Sequence, residues 1–301
     1  MRIVVDWGTS RLRVRLVDDA GRTVEALADG RGIATVAPGD HETVLRSLVD
    51  PWLERHPSAT VLAFGMVTSR DGWVEVPYVP CPFDAAALAA GSVERTLGGG
   101  TRIRFLPGAR DEGASPYPDV MRGEETELVG CEARSARAVV LPGTHSKWAR
   151  VEDGAVRGFR TAMTGELHAL LVAHAFVGRG GDGAEARPDA FVEAVDLARD
   201  ADDGLLTTLF GARTGRLAGR LGSGDVAEHL SGTLIGHEIR SAIEAGRCAP
   251  GEPLAVVGTG ALAERYARAA DRFGIEARID ADDAGTRGAL AVAAHLERDC
   301  P

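Results

Sequence analysis

The chain has 301 residues, 34 basic and 44 acidic, a formal charge of −10 and 45 % hydrophobic residues. That length suits two domains of about 100 to 200 residues each, and the negative balance argues against a general binder of nucleic acid or anionic membrane. No apolar run approaches the roughly 20 residues that span a bilayer, and the first apolar strand starts at residue 2, leaving no room for a signal peptide, so the expected compartment is the cytoplasm.

In chain order, Ile3-Val4-Val5 predicts a strand running into Asp6-Trp7-Gly8-Thr9-Ser10, followed by an alternating strand through Leu12, Val14 and Leu16 and a turn at Asp18-Asp19-Ala20-Gly21. Val61 to Phe64 predict a further strand that leads into a loop dense in Gly, Ser, Arg and Trp, and then into proline-rich turns. Leu128 and Val129, after Glu124 and Glu125, predict a helix whose first turn presents carboxylates. The opening pattern then repeats: Ala138-Val139-Val140-Leu141 runs into Pro142-Gly143-Thr144-His145-Ser146, then Trp148, Val151 and a turn at Glu152-Asp153-Gly154.

Lys147, beside the second tip, is the only lysine in the chain. A compact ammonium on a flexible stem suits a moving phosphoryl group better than the planar arginine fork. Glycine lets backbone N–H groups approach an anion, and the neighbouring hydroxyls and bases add donors, so both tips read as phosphate clasps. The candidates are Gly8, Thr9, Ser10 and Arg11 in the first, and Gly143, Thr144, His145 and Lys147 in the second. His145 has an alternative as a turn residue without a direct role.

Farther along, residues 178–188 predict a solvent loop, while 190–209 and 227–243 carry helical apolar spacing. Leu254 to Val257, Gly258-Thr259-Gly260 and the helix after it imitate a dinucleotide fingerprint, with Asp280 at the expected distance. Only 21 residues follow Asp280, which is too few for the remaining strands of an NAD(P) domain, and 286–296 predict one last helix. Cys81, Cys131, Cys248 and Cys300 are widely spaced, as expected of reduced thiols rather than a disulfide or zinc site. The chain has no Asn or Gln, so hydroxyl recognition falls to other side chains and to backbone.

Two hairpins of this form, each opening one of two related halves, resemble the sugar kinase, heat-shock 70 and actin superfamily. Five blocks narrow the resemblance to the 2-dehydro-3-deoxygalactonokinase family: Asp6 to Ser10, Met121 to Glu127, Pro142 to Trp148, Met163 to Leu167 and Ser231 to Glu238. It implies an α/β chain of two related ribonuclease H-like (actin-like ATPase) domains with a nucleotide cleft between them, expected at 1–134 and 135–301. It also implies ATP and Mg2+ as cofactors, and phosphorylation of the 6-hydroxyl of 2-dehydro-3-deoxy-D-galactonate in galactonate breakdown. The alternatives are a kinase for another sugar or sugar acid and a non-catalytic ATP-binding regulator.

Superfamily kinases place Gly-Asp where this chain has Gly123-Glu124, so the resemblance makes Glu124 the first choice for the base and Glu125 the second. Asp6, ending the first strand, is the expected magnesium ligand, because that ion keeps most of its waters. In the kinase reading, Gly258, Thr259, Gly260 and Ala261 meet the adenosine. The small-molecule sugar acid is expected in the first domain near Thr68, Ser69 and Arg70, with Arg70 ahead of Arg122 and Arg160 for its carboxylate, and Trp7 or Trp73 against its carbon chain. Helices rich in Ala and Leu offer a face for a homodimer.

Overall fold

The computed structural model describes residues 1–114, 116–132, 136–179, 185–281 and 283–298. Residues 180–183 of the glycine-rich loop, the expected domain boundary at 134/135 and Cys300 lie outside them. The chain divides into two compact units: Met1–Glu132 with Glu152–Phe159 and Asp283–Pro301, and Ala133–Val151 with Arg160–Asp282. Among the described residues, no helix is long and apolar enough to cross a membrane.

In chain order the elements are β1 (Arg2–Trp7), β2 (Leu12–Val17), β3 (Thr23–Asp29), α1 (His41–Arg55), β4 (Thr60–Phe64), β5 (Val79–Pro80), α2 (Ala85–Gly91), β6 (Val93–Thr96), β7 (Arg102–Phe105), β8 (Ala109–Asp111), β9 (Asp119–Met121) and α3 (Glu124–Gly130). There follow β10 (Ala138–Leu141), β11 (Ser146–Glu152), β12 (Ala155–Ala162), α4 (Thr164–His174), α5 (Ala190–Asp200), α6 (Leu205–Leu217), α7 (Val226–Glu244), β13 (Pro253–Val257), α8 (Gly260–Arg272), β14 (Glu276–Asp280) and α9 (Ala284–Arg298).

The first sheet has the order β3-β2-β1-β4-β7-β6 and the second β12-β11-β10-β13-β14, so the duplication seen in the hairpins extends through five strands. A short third sheet has the order β5-β8-β9. In each of the two large sheets an antiparallel meander is continued by parallel strands: β1 pairs antiparallel with β2 and parallel with β4, and β10 pairs likewise with β11 and β13. Ile3, Val4 and Val5 are fully buried and all four residues of β10 are buried, because strands covered on both faces must be apolar throughout. Strand β2 instead alternates, burying Leu12, Val14 and Leu16 and exposing Arg13.

Two expectations need correction. The helical spacing over 190–209 is split between α5 and α6. Arg240 causes the break to hold: its Nη1 donates to the carbonyls of Ala198 (3.1 Å) and Ala201 (2.7 Å), satisfying acceptors that the end of α5 leaves open. The last helix, predicted over 286–296 as part of a domain 135–301, spans Ala284–Arg298 and belongs to the first unit. The reason is a backbone-to-backbone crossing with α3. A Cβ on Gly288 would lie 1.8 Å from the Thr126 carbonyl oxygen, and one on Gly130 would lie 1.9 Å from that of Ala284. Arg287 Nε closes the crossing on the Gly130 carbonyl at 2.8 Å.

Gly288→Val should force α9 off α3. The expected cost is about 3 kcal/mol, read as a melting temperature lowered by roughly 5 to 10 °C in thermal denaturation. An unchanged melting temperature would mean that the two helices separate at little cost.

Candidate active site

In the first unit, β1 ends at Asp6-Trp7, and the Gly8 N–H donates to the Arg11 carbonyl at 2.9 Å to close the hairpin. The tip is fastened from below by Ile33 N–H to the Gly8 carbonyl (3.0 Å) and Ala34 N–H to the Thr9 carbonyl (3.1 Å). Thr9, Ser10 and Arg11 consequently stand exposed on a fixed backbone. Asp6 is paired across the hairpin with Arg13, whose Nη1 donates to Oδ2 at 2.7 Å. Burial pushes the Asp6 carboxyl above its ordinary range, against the pull of Arg13.

Gly65 follows the end of β4 and Gly123 precedes α3. Both hold positive φ, at 92° and 112°, and a Cβ on Gly123 would lie only 3.4 Å from the Gly65 Cα. This contact brings the start of α3 to the carboxyl end of β4, where parallel sheets bind their ligands. Glu124 is partly exposed and its Oε2 accepts from the Arg122 N–H at 3.0 Å. Glu125 is wholly buried, accepting from the Gly123 N–H (2.7 Å) and from Thr126 Oγ1 (3.0 Å). Desolvation, and then the charge of Glu124, push the Glu125 carboxyl up to about 8. Glu127, one helical turn beyond Glu124, is pushed up to about 8 by desolvation and then by Asp6. Sequence reasoning passed over Glu127, although its spacing of three from Glu124 places both on one helix face.

The loop after Gly65 is held by Arg122. Its Nη1 donates to Thr68 O (2.6 Å) and Thr68 Oγ1 (2.7 Å), its Nη2 donates to Val76 O (3.0 Å), and the guanidinium lies 4.2 Å over the Tyr78 ring. Both terminal nitrogens of Arg122 are therefore engaged by the loop itself. Thr68 is fully buried, and Ser69 Oγ donates to the Met66 carbonyl at 2.8 Å, so these hydroxyls also brace the loop. Arg70 stands exposed beyond them. Trp73 is half-buried and stacks on His41 with ring centroids 6.1 Å apart. Trp7 has no exposed surface, and its Nε1 donates to Arg31 O at 2.9 Å. The expectation that Trp7 packs on a ligand is therefore corrected: it is a core residue. Arg160 lies in the other unit, on β12, and lines a cavity of about 540 Å³ with Trp148, Thr164, His237 and Glu238.

In the second unit Thr144 and His145 are exposed at the hairpin tip, while Lys147, opposite Leu141 in register, is 5 % exposed with Nζ 3.4 Å from the His145 carbonyl. A solvated strand-end lysine is not what the fold contains. His145 Nε2 meets Glu166 Oε2 at 2.6 Å, and the Glu166 N–H donates to the Thr144 carbonyl at 3.0 Å, so the first turn of α4 grips the tip. At the ends of β13 and β14, Gly258 N–H donates to the Asp280 carbonyl at 3.2 Å, and Gly258-Thr259-Gly260-Ala261 forms a largely exposed turn into α8, with Gly260 at φ 71°. The dinucleotide-like unit is thus real as strand, turn, helix and strand. Its sheet, however, runs on through β10 into the antiparallel β11 and β12.

The family model for 2-keto-3-deoxy-galactonokinase matches residues 6–292. A "Probable 2-dehydro-3-deoxygalactonokinase" of Rhizobium meliloti is 35 % identical, covering 96 % of this chain and 95 % of its own. The 2-dehydro-3-deoxygalactonokinase of Escherichia coli is 31 % identical, covering 97 % of each. A crystal structure from Sinorhizobium meliloti, provisionally named for the same activity, superposes over 100 % of both chains with a TM-score of 0.85 at 30 % identity. More distant sugar kinases share the fold.

The buried acids set a pH dependence. The Glu125 carboxyl moves from an ordinary 4.5 to about 8 on folding, so between those values the folded chain keeps a proton that the unfolded chain has released. Stability therefore falls as pH rises across that window. Glu125→Gln should flatten the fall in melting temperature between about pH 5 and about pH 8. A variant whose melting temperature falls as steeply as that of the wild type would place the cost elsewhere.

Proposed function

We propose, for a chain that belongs to the 2-keto-3-deoxy-galactonokinase family, that it transfers the terminal phosphoryl of ATP to the 6-hydroxyl of 2-dehydro-3-deoxy-D-galactonate, releasing ADP. The observation that carries this reading is the family match from residue 6 to residue 292, which takes in both hairpin tips, Gly123-Glu124 and the Gly258-Thr259-Gly260 turn.

In this reading Thr9, Ser10 and Arg11 of the first tip, and Gly143, Thr144, His145 and Lys147 of the second, contact the phosphates through the exposed N–H groups, hydroxyls and bases of the two turns. The open turn at Gly258 to Ala261 takes the adenosine. Glu124 accepts the proton of the 6-hydroxyl as that oxygen bonds to phosphorus and the bridging oxygen departs with ADP. It is preferred over Glu125 because it has access to solvent, whereas Glu125 is enclosed and holds its proton near neutral pH. Arg70, the exposed arginine of the acceptor loop, is assigned the substrate carboxylate. Arg122 serves by holding that loop in place.

A magnesium ion fits the first unit. Asp6 offers a hard oxygen donor close to Glu127 and Asp283, and burial, the first cause of the upward push on Asp6 and Glu127, disfavours the ionised carboxylates that a divalent cation would stabilise. When bound, the ion would neutralise charge on the transferring phosphates. Asp6 would hold it, with Arg13 fixing the orientation of the carboxylate.

The test is ADP release with ATP and magnesium in the presence of 2-dehydro-3-deoxygalactonate, its gluconate epimer, or no acceptor. Acceptor-dependent turnover favouring the galactonate epimer is expected, with kcat lowered by roughly 10²- to 10⁴-fold in Glu124→Ala. Turnover with neither acid, while ATP still binds, would overturn the substrate, and a fully active Glu124→Ala would overturn the base.

A further inference from the structure

Among the sequence blocks to which the proposed chemistry gives no role is Ser231-Gly232-Thr233-Leu234-Ile235-Gly236-His237-Glu238 on α7. Its glycines are explained by packing: a Cβ on Gly232 would lie 2.3 Å from the Phe191 carbonyl oxygen, and one on Gly236 would lie 2.7 Å from the Ala198 Cβ, both on α5. Glu238 is not explained in that way. Its carboxylate is 9 % exposed and accepts from Trp148 Nε1 on Oε1 (2.6 Å), and from Tyr266 Oη (2.7 Å) and Thr164 Oγ1 on Oε2. The Tyr266 hydroxyl also meets Ser146 Oγ at 2.7 Å.

Each of these partners lies on an element that leads to the nucleotide groups assigned above. Ser146 and Trp148 flank Lys147 on β11. Thr164 opens α4, whose next residue, Gly165, packs so closely under the hairpin tip that a Cβ would lie 2.4 Å from the Gly143 carbonyl oxygen. The residue after that, Glu166, holds both Thr144 and His145. Tyr266 lies on α8, the helix that begins at the Gly258-Thr259-Gly260 turn. A buried carboxylate is costly, and apolar residues of similar size often stabilise a core at least as well, so such a group can be retained for the geometry it imposes.

We propose that Glu238 is a positioning residue for ATP: its carboxylate ties the Lys147 strand, the start of α4 and the adenosine-turn helix α8 into one arrangement. The proposal rests on the kinase reading. Breaking the tie should let the second clasp and the adenosine turn drift independently while leaving the sugar-acid loop, in the other unit, as it was.

The experiment is ATP binding by calorimetry, together with separate KM values for ATP and for the sugar acid, on wild type, Glu238→Ala, Glu238→Gln and Tyr266→Phe. Glu238→Ala should weaken ATP about 10- to 100-fold while the sugar-acid KM stays within about twofold, as expected for lost hydrogen bonds to a buried charged group. Glu238→Gln, which keeps an acceptor for Trp148, should recover part of the loss. Tyr266→Phe, which removes one hydroxyl, should show the same ATP-selective shift at smaller size and covers the case in which Glu238→Ala does not fold. Folded variants with lower melting temperatures but unchanged ATP affinity would overturn the positioning role. A wild type that binds no ATP would instead overturn the kinase reading itself.

Discussion

The two-sided pairing of β1 is the constraint from which the first unit is built. Antiparallel pairing with β2 requires a tight reversal directly after Trp7, whereas parallel pairing with β4 requires the chain to travel away and return. The hairpin tip, the Gly65 bend and the Gly123 entry to α3 therefore collect at one edge of the sheet. The strand between them is apolar on both faces, which confines polar work to that edge. Strand β10 repeats the scheme with Gly143-Thr144 and the Gly258 turn. A duplicated pairing pattern has produced two exposed Gly-Thr turns without any lengthy sequence repeat.

The two units handle buried carboxylates differently. On α3, burial and then the charge of Glu124 favour the protonated form of Glu125, and burial and then Asp6 that of Glu127. In the second unit Glu238 is surrounded by the Trp148 indole, the Tyr266 phenol and the Thr164 hydroxyl, which all donate to it. Burial still raises it, while the hydrogen bonds pull the other way. The first arrangement encloses carboxyls that receive few donors; the second surrounds its carboxylate with donors from three elements.

Local patterns were legible in the sequence. Alternation and Gly-Thr turns revealed both hairpins, and the polar-to-apolar change after Gly123 located α3. Asp6 and Arg13 face each other as the hairpin register requires, so their pairing was available to counting alone. Contacts between distant segments were not. Trp148 and Glu238 are 90 residues apart, and no local periodicity reveals that one will donate to the other. Trp7 was misread for a related reason: its place beside a binding turn suggested a ligand contact, whereas the packing of His41 and Trp73 around it decides that it is core. The attachment of α9 to α3 depended on two glycines, each unremarkable in its own helix.

That attachment has a consequence for how the protein is made. Arg287 reaches a carbonyl 157 residues upstream, and everything from β10 to β14 is encoded in between. At roughly 5 to 20 residues per second, the helix carrying Glu124 is synthesised about 8 to 30 s before its packing partner. During that interval the α3 face that will receive Ala284 and Gly288 has no native cover, while most of the second unit can already assemble. A slow stretch of translation before α9 would lengthen the exposure of the first unit, so codon choice there bears on the yield of active enzyme.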